Sequence, residues 1–306
     1  MLNKFTSRPI NIPIKTIGPG SQPDEEKAMT IGVPDTVETY VRPAAPDISD
    51  KETAIRCRQL FIELYQEMKN WNQNSNASGP SFALNHLDSA TLNLVNQMLG
   101  EGEVSIIIKL PQDNFDEIRI QESIFVGVWR VCYYKEGKPI SDQIEVSAIP
   151  ACVPEAAYLT SKEGLNPTKE DPEAMNSPAI LAELNAALSS WEPGAPAKTF
   201  NLSHLPMTPA DNQIIDTALG VGAVHMMSRG FGNCHILSTD VRHAWRIQYF
   251  NNAPTRLMIL NTIVVCGMPE EALASSEDLH DSVSRIKELI EWVTSSWELP
   301  PVELDE

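Results

Sequence analysis

The chain has 306 residues, 42% of them hydrophobic, and its 41 acidic against 23 basic side chains give a formal charge of −18 at pH 7. A surface that negative repels phosphate backbones and anionic lipid, which argues against nucleic acid as a partner and against membrane association. The start, "MLNKFTSRPINIPIK", has no apolar run of signal-peptide length, and "LMILNTIVV" is short and broken by Asn261 and Thr262, so a cytoplasmic protein with no membrane insertion is expected.

Residues 1–50 are rich in proline, contain the turn-forming "GPGSQPDEE" and have no sustained periodicity, which predicts an extended or disordered arm. A first unit over 51–158 opens on a helix with Ile55, Leu60, Phe61, Leu64, Tyr65, Met68 and Trp71 on one stripe. A second helix is predicted from Asp88 to Leu99, closed by Gly100, followed by strand-like runs at 104–109, 118–134 and 143–148. The segment 159–176, "LTSKEGLNPTKEDPEAMN", reads as a linker. A second unit over 177–280 begins with Ser177 as N-cap and Pro178 at the first helical position, then Ile180, Leu181, Leu184, Leu188 and Trp191. Its next helix, Thr208 to Leu219, starts on "TPAD", a capping box with Asp211 in the glutamate position, and ends at Gly220. Strand-like runs follow at 224–228, 234–250 and 256–266. Finally 281–306 holds an amphipathic helix, with Val283, Ile286, Leu289, Ile290, Val293 and Trp297 on its apolar side, and an acidic tail. Residues 270–306 contain 11 acidic and 2 basic side chains, half of the chain's excess charge.

The two units run in register. "NHLDSATLNLVNQMLGEGEVSIIIK" (85–109) parallels "SHLPMTPADNQIIDTALGVGAVHMMSR" (203–229), and Trp129-Arg130 in "FVGVWRVCYY" matches Trp245-Arg246 in "VRHAWRIQYF". "IEVSAIP" (144–150) then lies against "IVVCGMP" (263–269). Helices preceding strands, without regular alternation, predict an α+β fold. It comprises two tandem copies of a helix–helix–antiparallel-sheet module, an extended N-terminal arm and a C-terminal amphipathic helix.

Chemistry concentrates in "SRGFGNCHI" (228–236) of the second copy; the first copy has Ile118 where Cys234 stands and Arg119 where His235 stands. A phosphate loop would end in Lys-Ser/Thr and feed a helix, whereas this stretch leads into a strand. Five scattered cysteines with no C-x-x-C give neither a disulfide framework nor a local zinc or iron–sulfur motif. Strand alternation sends Cys234 and His235 to opposite faces, so they share an ion only with help from elsewhere. Three readings stay open: Cys234 as a small core hydrophobe, Cys234 as a reactive or cluster-contacting thiol, and the stretch as a glycine hairpin connection at the edge of a recognition surface. Trp129 and Trp245 are read as core anchors, with Arg130 and Arg246 on the opposite face, exposed or paired to carboxylates.

"GPGSQP", "ESIFVGVWRV", "SRGFGNC", "VRHAWRIQYFN", "MILNTIVV" and "MPEEALASSEDLHDS", in this order, resemble the HupH/HyaF/HoxQ family of hydrogenase expression and formation proteins. The resemblance implies an accessory protein of nickel–iron hydrogenase maturation and not an enzyme. It would be a dedicated chaperone, without cofactor, that binds the iron–sulfur small subunit precursor before assembly with the large subunit and export, alongside other maturation proteins. The alternative is an iron–sulfur or iron-handling assembly factor using Cys234 with neighbouring histidines or cysteines of the second module. Candidate client or cluster contacts are Arg229, Gly230, Gly232, Asn233, Cys234, His235, His243 and Arg246. No metal site is assigned; Cys234, His225 and Cys266 are the residues from which one would be built. Strand edges are expected to hold a client segment by strand addition, and the acidic surface to draw a basic one, such as a twin-arginine export signal.

Overall fold

The computed structural model describes residues 50–73, 79–110, 114–230, 233–251, 257–302 and 304, without the side chains of 71–73. The expected arm up to residue 49, the Trp71 side chain and Gly232 therefore lie outside the described residues. In the first half the elements are α1 (Lys51–Gln73), β1 (Ser81–Ala83), α2 (Ser89–Leu99), β2 (Val104–Lys109), β3 (Glu117–Glu122), β4 (Val128–Lys135), β5 (Lys138–Val146) and α3 (Cys152–Leu159). The second half has α4 (Ser177–Ser189), β6 (Lys198–Asn201), α5 (Pro209–Leu219), β7 (Val224–Ser228), β8 (Asn233–Ser238), β9 (Ala244–Phe250), β10 (Met258–Val265) and α6 (Ser276–Ser296).

All ten strands join one sheet in the order β1-β5-β4-β3-β2-β7-β8-β9-β10-β6, and every neighbouring pair is antiparallel. The fold is α+β, as expected. Outward from the β2–β7 pair, the order on one side corresponds step by step to the order on the other. Period-two alternation divides the side chains between two faces. The inner face carries Ile106, Ile118, Trp129, Val224, Cys234, Ile236 and Trp245, all buried, with Val153, Ala156 and Ala157 of α3 packed on them. On the outer face, α1, α2 and α6 pack over Val128, Ile144 and Val146 in the first half. In the second half α4 and α5 pack over Ala244, Ile263 and Val265.

Several boundaries differ from the sequence expectation. The runs 118–134 and 234–250 each fold into two strands, because the chain reverses at residues with positive φ, Gly127 (81°) and His243 (66°). Helix α4 stops at Ser189, which leaves Trp191 past the helix end. Helix α6 starts at Ser276 and not at 281; the Ser275 side chain caps it by accepting from Asp278 N–H. The short β1 and β6, and α3, were not anticipated, since three to eight residues carry too little periodicity. Residues 159–176 are bonded to the second half: Lys162 N–H donates to Asp240 O at 2.8 Å, and Asn166 N–H to Ala218 O at 2.8 Å.

The capping box at Thr208 is present, and it reaches further than its own helix. Asp211, fully buried, accepts from Thr208 N–H and also from the N–H groups of Met175, Asn176 and Ser177 that open α4. Burial alone would raise its pKa; the N–H donors of Ser177, Thr208 and Asn176 outweigh that and hold the carboxyl below the ordinary range. One side chain thus starts two helices. Asp211→Ala leaves the buried Ser177 N–H and three part-buried N–H groups without their acceptor and is expected to lower unfolding free energy by about 2–4 kcal/mol in urea titrations, with Asp211→Asn losing less.

Candidate functional site

The chain leads from β7 into β8 and not into the helix that a phosphate loop requires. Arg229 and Gly230 sit instead against the first half. Arg229 N–H donates to Glu103 O at 3.1 Å. A Cβ on Gly230 would lie 1.8 Å from a Glu103 carboxylate oxygen, so only glycine fits there without a shift. Burial pushes the Arg229 pKa down, and Glu101 opposes that shift.

Beyond the connection, alternation separates the candidates. Cys234 points into the inner core and is 2% exposed; burial raises its thiol pKa, while a hydrogen bond with the Tyr249 side chain works the other way. His235 points to the outer face, where its Nδ1 lies 2.9 Å from His225 Nε2 and one ring donates to the other. The two imidazoles stack with centroids 5.1 Å apart. Burial, then His235, then Lys109 lower the His225 pKa to about 4. Asn233 is paired with Phe250 at the start of β8. Arg246 is half-buried on the outer face, where its Nε donates to Asn261 Oδ1 at 3.1 Å and its guanidinium pairs with Asp216 of α5. Arg130 is held in the same manner by Asp142 and by Asn96 of α2. Between these two arginines the outward side chains of β3, β2, β7 and β8 are half-buried, among them Ile107, Met227 and Leu237, or exposed, as Lys109 and Arg119 are.

His243 and Cys266 meet at the other end of the sheet, where Cys266 N–H donates to His243 O at 3.0 Å. Burial, then Glu271 and Glu270, push the Cys266 thiol up to about 12. The structure therefore does not gather Cys234, His225 and Cys266: the two thiols face the inner core and the imidazole faces outward. Among the described residues no group of three or more His, Cys, Asp and Glu side chains is arranged to hold a metal ion. Tyr158 and Trp191, both absent from the sequence-derived set, flank His243. Trp191 was read as part of a helix stripe, and only the loop after α4 brings it here.

The outer strands of the sheet end unequally. β1 pairs β5 only at Gln143–Glu145, and β6 pairs β10 over Thr262–Val265, which leaves the first residues of β5 and β10 beyond their short neighbours. On β5 this overhang covers 138–142 and opens with Lys138-Pro139-Ile140; on β10 it covers 258–261 and opens with Met258 and Ile259, preceded by Leu257. Leu257, Met258 and Ile259 are 61%, 46% and 61% exposed.

Comparison with known proteins adds the following. The family model described as "HupH hydrogenase expression protein, C-terminal conserved region" matches residues 55–160 and again 174–293. The hydrogenase expression/formation protein HoxQ of Cupriavidus necator is 36% identical over 93% of this chain and 98% of its own. HupH of Rhodobacter capsulatus is 36% identical over 92% of this chain and 97% of its own. The hydrogenase-1 operon protein HyaF of Escherichia coli is 28% identical over 92% and 96%. A solved structure of the hydrogenase expression protein HupH from Thiobacillus denitrificans covers 38% of this chain and 94% of that one, at 25% identity and a TM-score of 0.32.

The His225 ring, depressed to about 4, should titrate in NMR well below the ordinary 6.5 of histidine. Because the folded state binds that proton less readily than the unfolded state, the contribution is intact above pH 6.5. It is lost as pH falls from there toward 4, so wild type should lose more stability over that window than His225→Gln.

Proposed function

This chain belongs to the family of HupH hydrogenase expression proteins, and on that premise we propose that it is an accessory protein of nickel–iron hydrogenase maturation. It binds the iron–sulfur small subunit precursor as a dedicated chaperone, in the cytoplasm, before that subunit joins the large subunit and is exported. It works by binding and not by turnover. Its two halves, 51–158 and 177–280, are tandem copies of one module; the double family match and the corresponding strand orders support that reading.

The observation that carries the chaperone reading is the β10 overhang. A strand edge flanked by three consecutive exposed apolar side chains is a feature that soluble proteins suppress unless a partner covers it. The corresponding β5 overhang is suppressed in the usual way, by Lys138 and Pro139. An extended client segment adds to the edge of β10, whose register shifts between Met258 and Leu260, with its apolar side chains against the exposed residues there. The charge of −18, half of it in residues 270–306, steers a basic segment of the client toward the protein.

The test uses the tagged full-length protein and purified small subunit precursor. Wild type should retain the precursor, and Ile259→Lys, which places on β10 the kind of guard that β5 has, should bind about tenfold more weakly with an unchanged melting temperature. Raising the salt concentration, or removing the precursor's basic export signal, should weaken binding further. Failure of wild type to retain the precursor sinks the chaperone reading; equal retention by Ile259→Lys sinks the β10 surface alone.

A further inference from the structure

The turn between β8 and β9 holds a residue that simple sterics disfavour. His243 has φ 66°, in the left-handed region where a side chain crowds the backbone, while the corresponding turn between β3 and β4 has Gly127 at 81°. Both turns make the same onward bond: Cys266 N–H donates to His243 O at 3.0 Å, and Ser147 N–H to Gly127 O at 2.9 Å. The backbone therefore has no need of a histidine. At Gly127 the space is filled, since an added Cβ would lie 1.9 Å from Leu279 Cδ2 of α6. At His243 the ring lies under Trp191, with centroids 3.5 Å apart and planes inclined by 22°, and Tyr158 is 5.1 Å away.

Two polar atoms in this stack lack partners. His243 Nδ1 and Trp191 Nε1 are both buried, and neither makes a hydrogen bond among the described residues. Native proteins seldom leave such groups unmatched, and two within one pair of stacked rings point to a missing partner. The indole N–H only donates, so that partner must be an acceptor. The Tyr158 hydroxyl is already committed to Gly267 O, and the Arg242 guanidinium lies 5.2 Å from the centre of the Tyr158 ring. Burial, then Arg242, lower the His243 pKa. The charge acting on the imidazole is thus positive, which favours an anionic acceptor over a neutral one. Both rings are partly exposed, so the stack reaches the surface although its two nitrogens do not.

We propose that Trp191, His243 and Arg242 form a carboxylate-binding site, in which Trp191 Nε1–H and His243 Nδ1–H donate to the carboxylate oxygens and Arg242 supplies the opposing charge. A small free carboxylate and a glutamate or aspartate side chain of a partner present the same chemistry.

The full-length protein, labelled with 15N at tryptophan, is titrated with sodium acetate and separately with the capped tripeptide acetyl-Ala-Glu-Ala-amide. Trp191→Phe assigns the Trp191 indole signal among those of the six tryptophans. A saturable shift of that signal is expected with at least one probe; tighter binding of the peptide points to a polypeptide source, and tighter binding of acetate to a free carboxylate. His243→Gly, the residue of the corresponding turn, should weaken the response by about tenfold or more while the melting temperature stays the same or rises through relief of left-handed strain. The proposal is overturned by a signal that responds to neither probe, by a response that survives unchanged in His243→Gly, or by inorganic phosphate acting as strongly as acetate.

Discussion

The β2–β7 ladder is the interaction on which everything else depends. Five residue pairs, from Val104 with Ser228 to Ile108 with Val224, fuse two five-stranded halves into one sheet. Without that ladder each half would end in an unpaired strand whose inward side chains, Ile106 and Ile108 or Val224 and Met226, face solvent. With it, the inner face becomes one core to which both halves contribute, including both tryptophans. The connection at Arg229 and Gly230 reinforces this seam by closing onto Glu103. The outer face pays for the arrangement, because helices of each half cover only that half's own outer strands and the central strip stays half-buried.

Around this seam the two halves solve the same problems with different residues. Glu122 accepts from Val104 N–H at the start of β2, and burial pushes its carboxyl up to about 7. Ser238 accepts from Val224 N–H at the start of β7, without any charge. The overhang of β5 carries Lys138 and Pro139, whereas that of β10 carries Met258 and Ile259. The tight turn has Gly127 under α6 in one half and His243 under Trp191 in the other. In the last two comparisons the second half holds the less usual residue, an apolar side chain at a strand edge and a histidine at positive φ.

Much of this was legible in the sequence because it is local. The cap at Thr208, helix ends at Gly100 and Gly220, and the opposed directions of Cys234 and His235 all follow from short-range periodicity and stereochemistry. The reversals inside 118–134 and 234–250 were not legible, since in the second run neither Gly nor Pro marks the turn and the positive φ falls on a histidine. The partners of Arg246 were equally hidden: Asp216 lies thirty residues away on α5 and Asn261 on the next strand, and only tertiary packing brings them in. His225 and His235 looked like scattered histidines until the register of β7 on β8 placed them diagonally across the outer face.

Helix α6 has a bearing on how the chain is made. It follows both halves in the sequence, yet Ile286, Ile290 and Val293 complete the core around Phe61, Leu64 and Met68 of α1, and Arg285 donates to Ile124 O at 2.8 Å. A ribosome synthesising this protein releases the first half long before the helix that seals it. During that interval α1 has α2 and the sheet against it but lacks the cover that Ile286, Ile290 and Val293 supply, and the uncovered apolar surface favours aggregation. A product broken off before α6 would keep that part of the α1 core open to solvent.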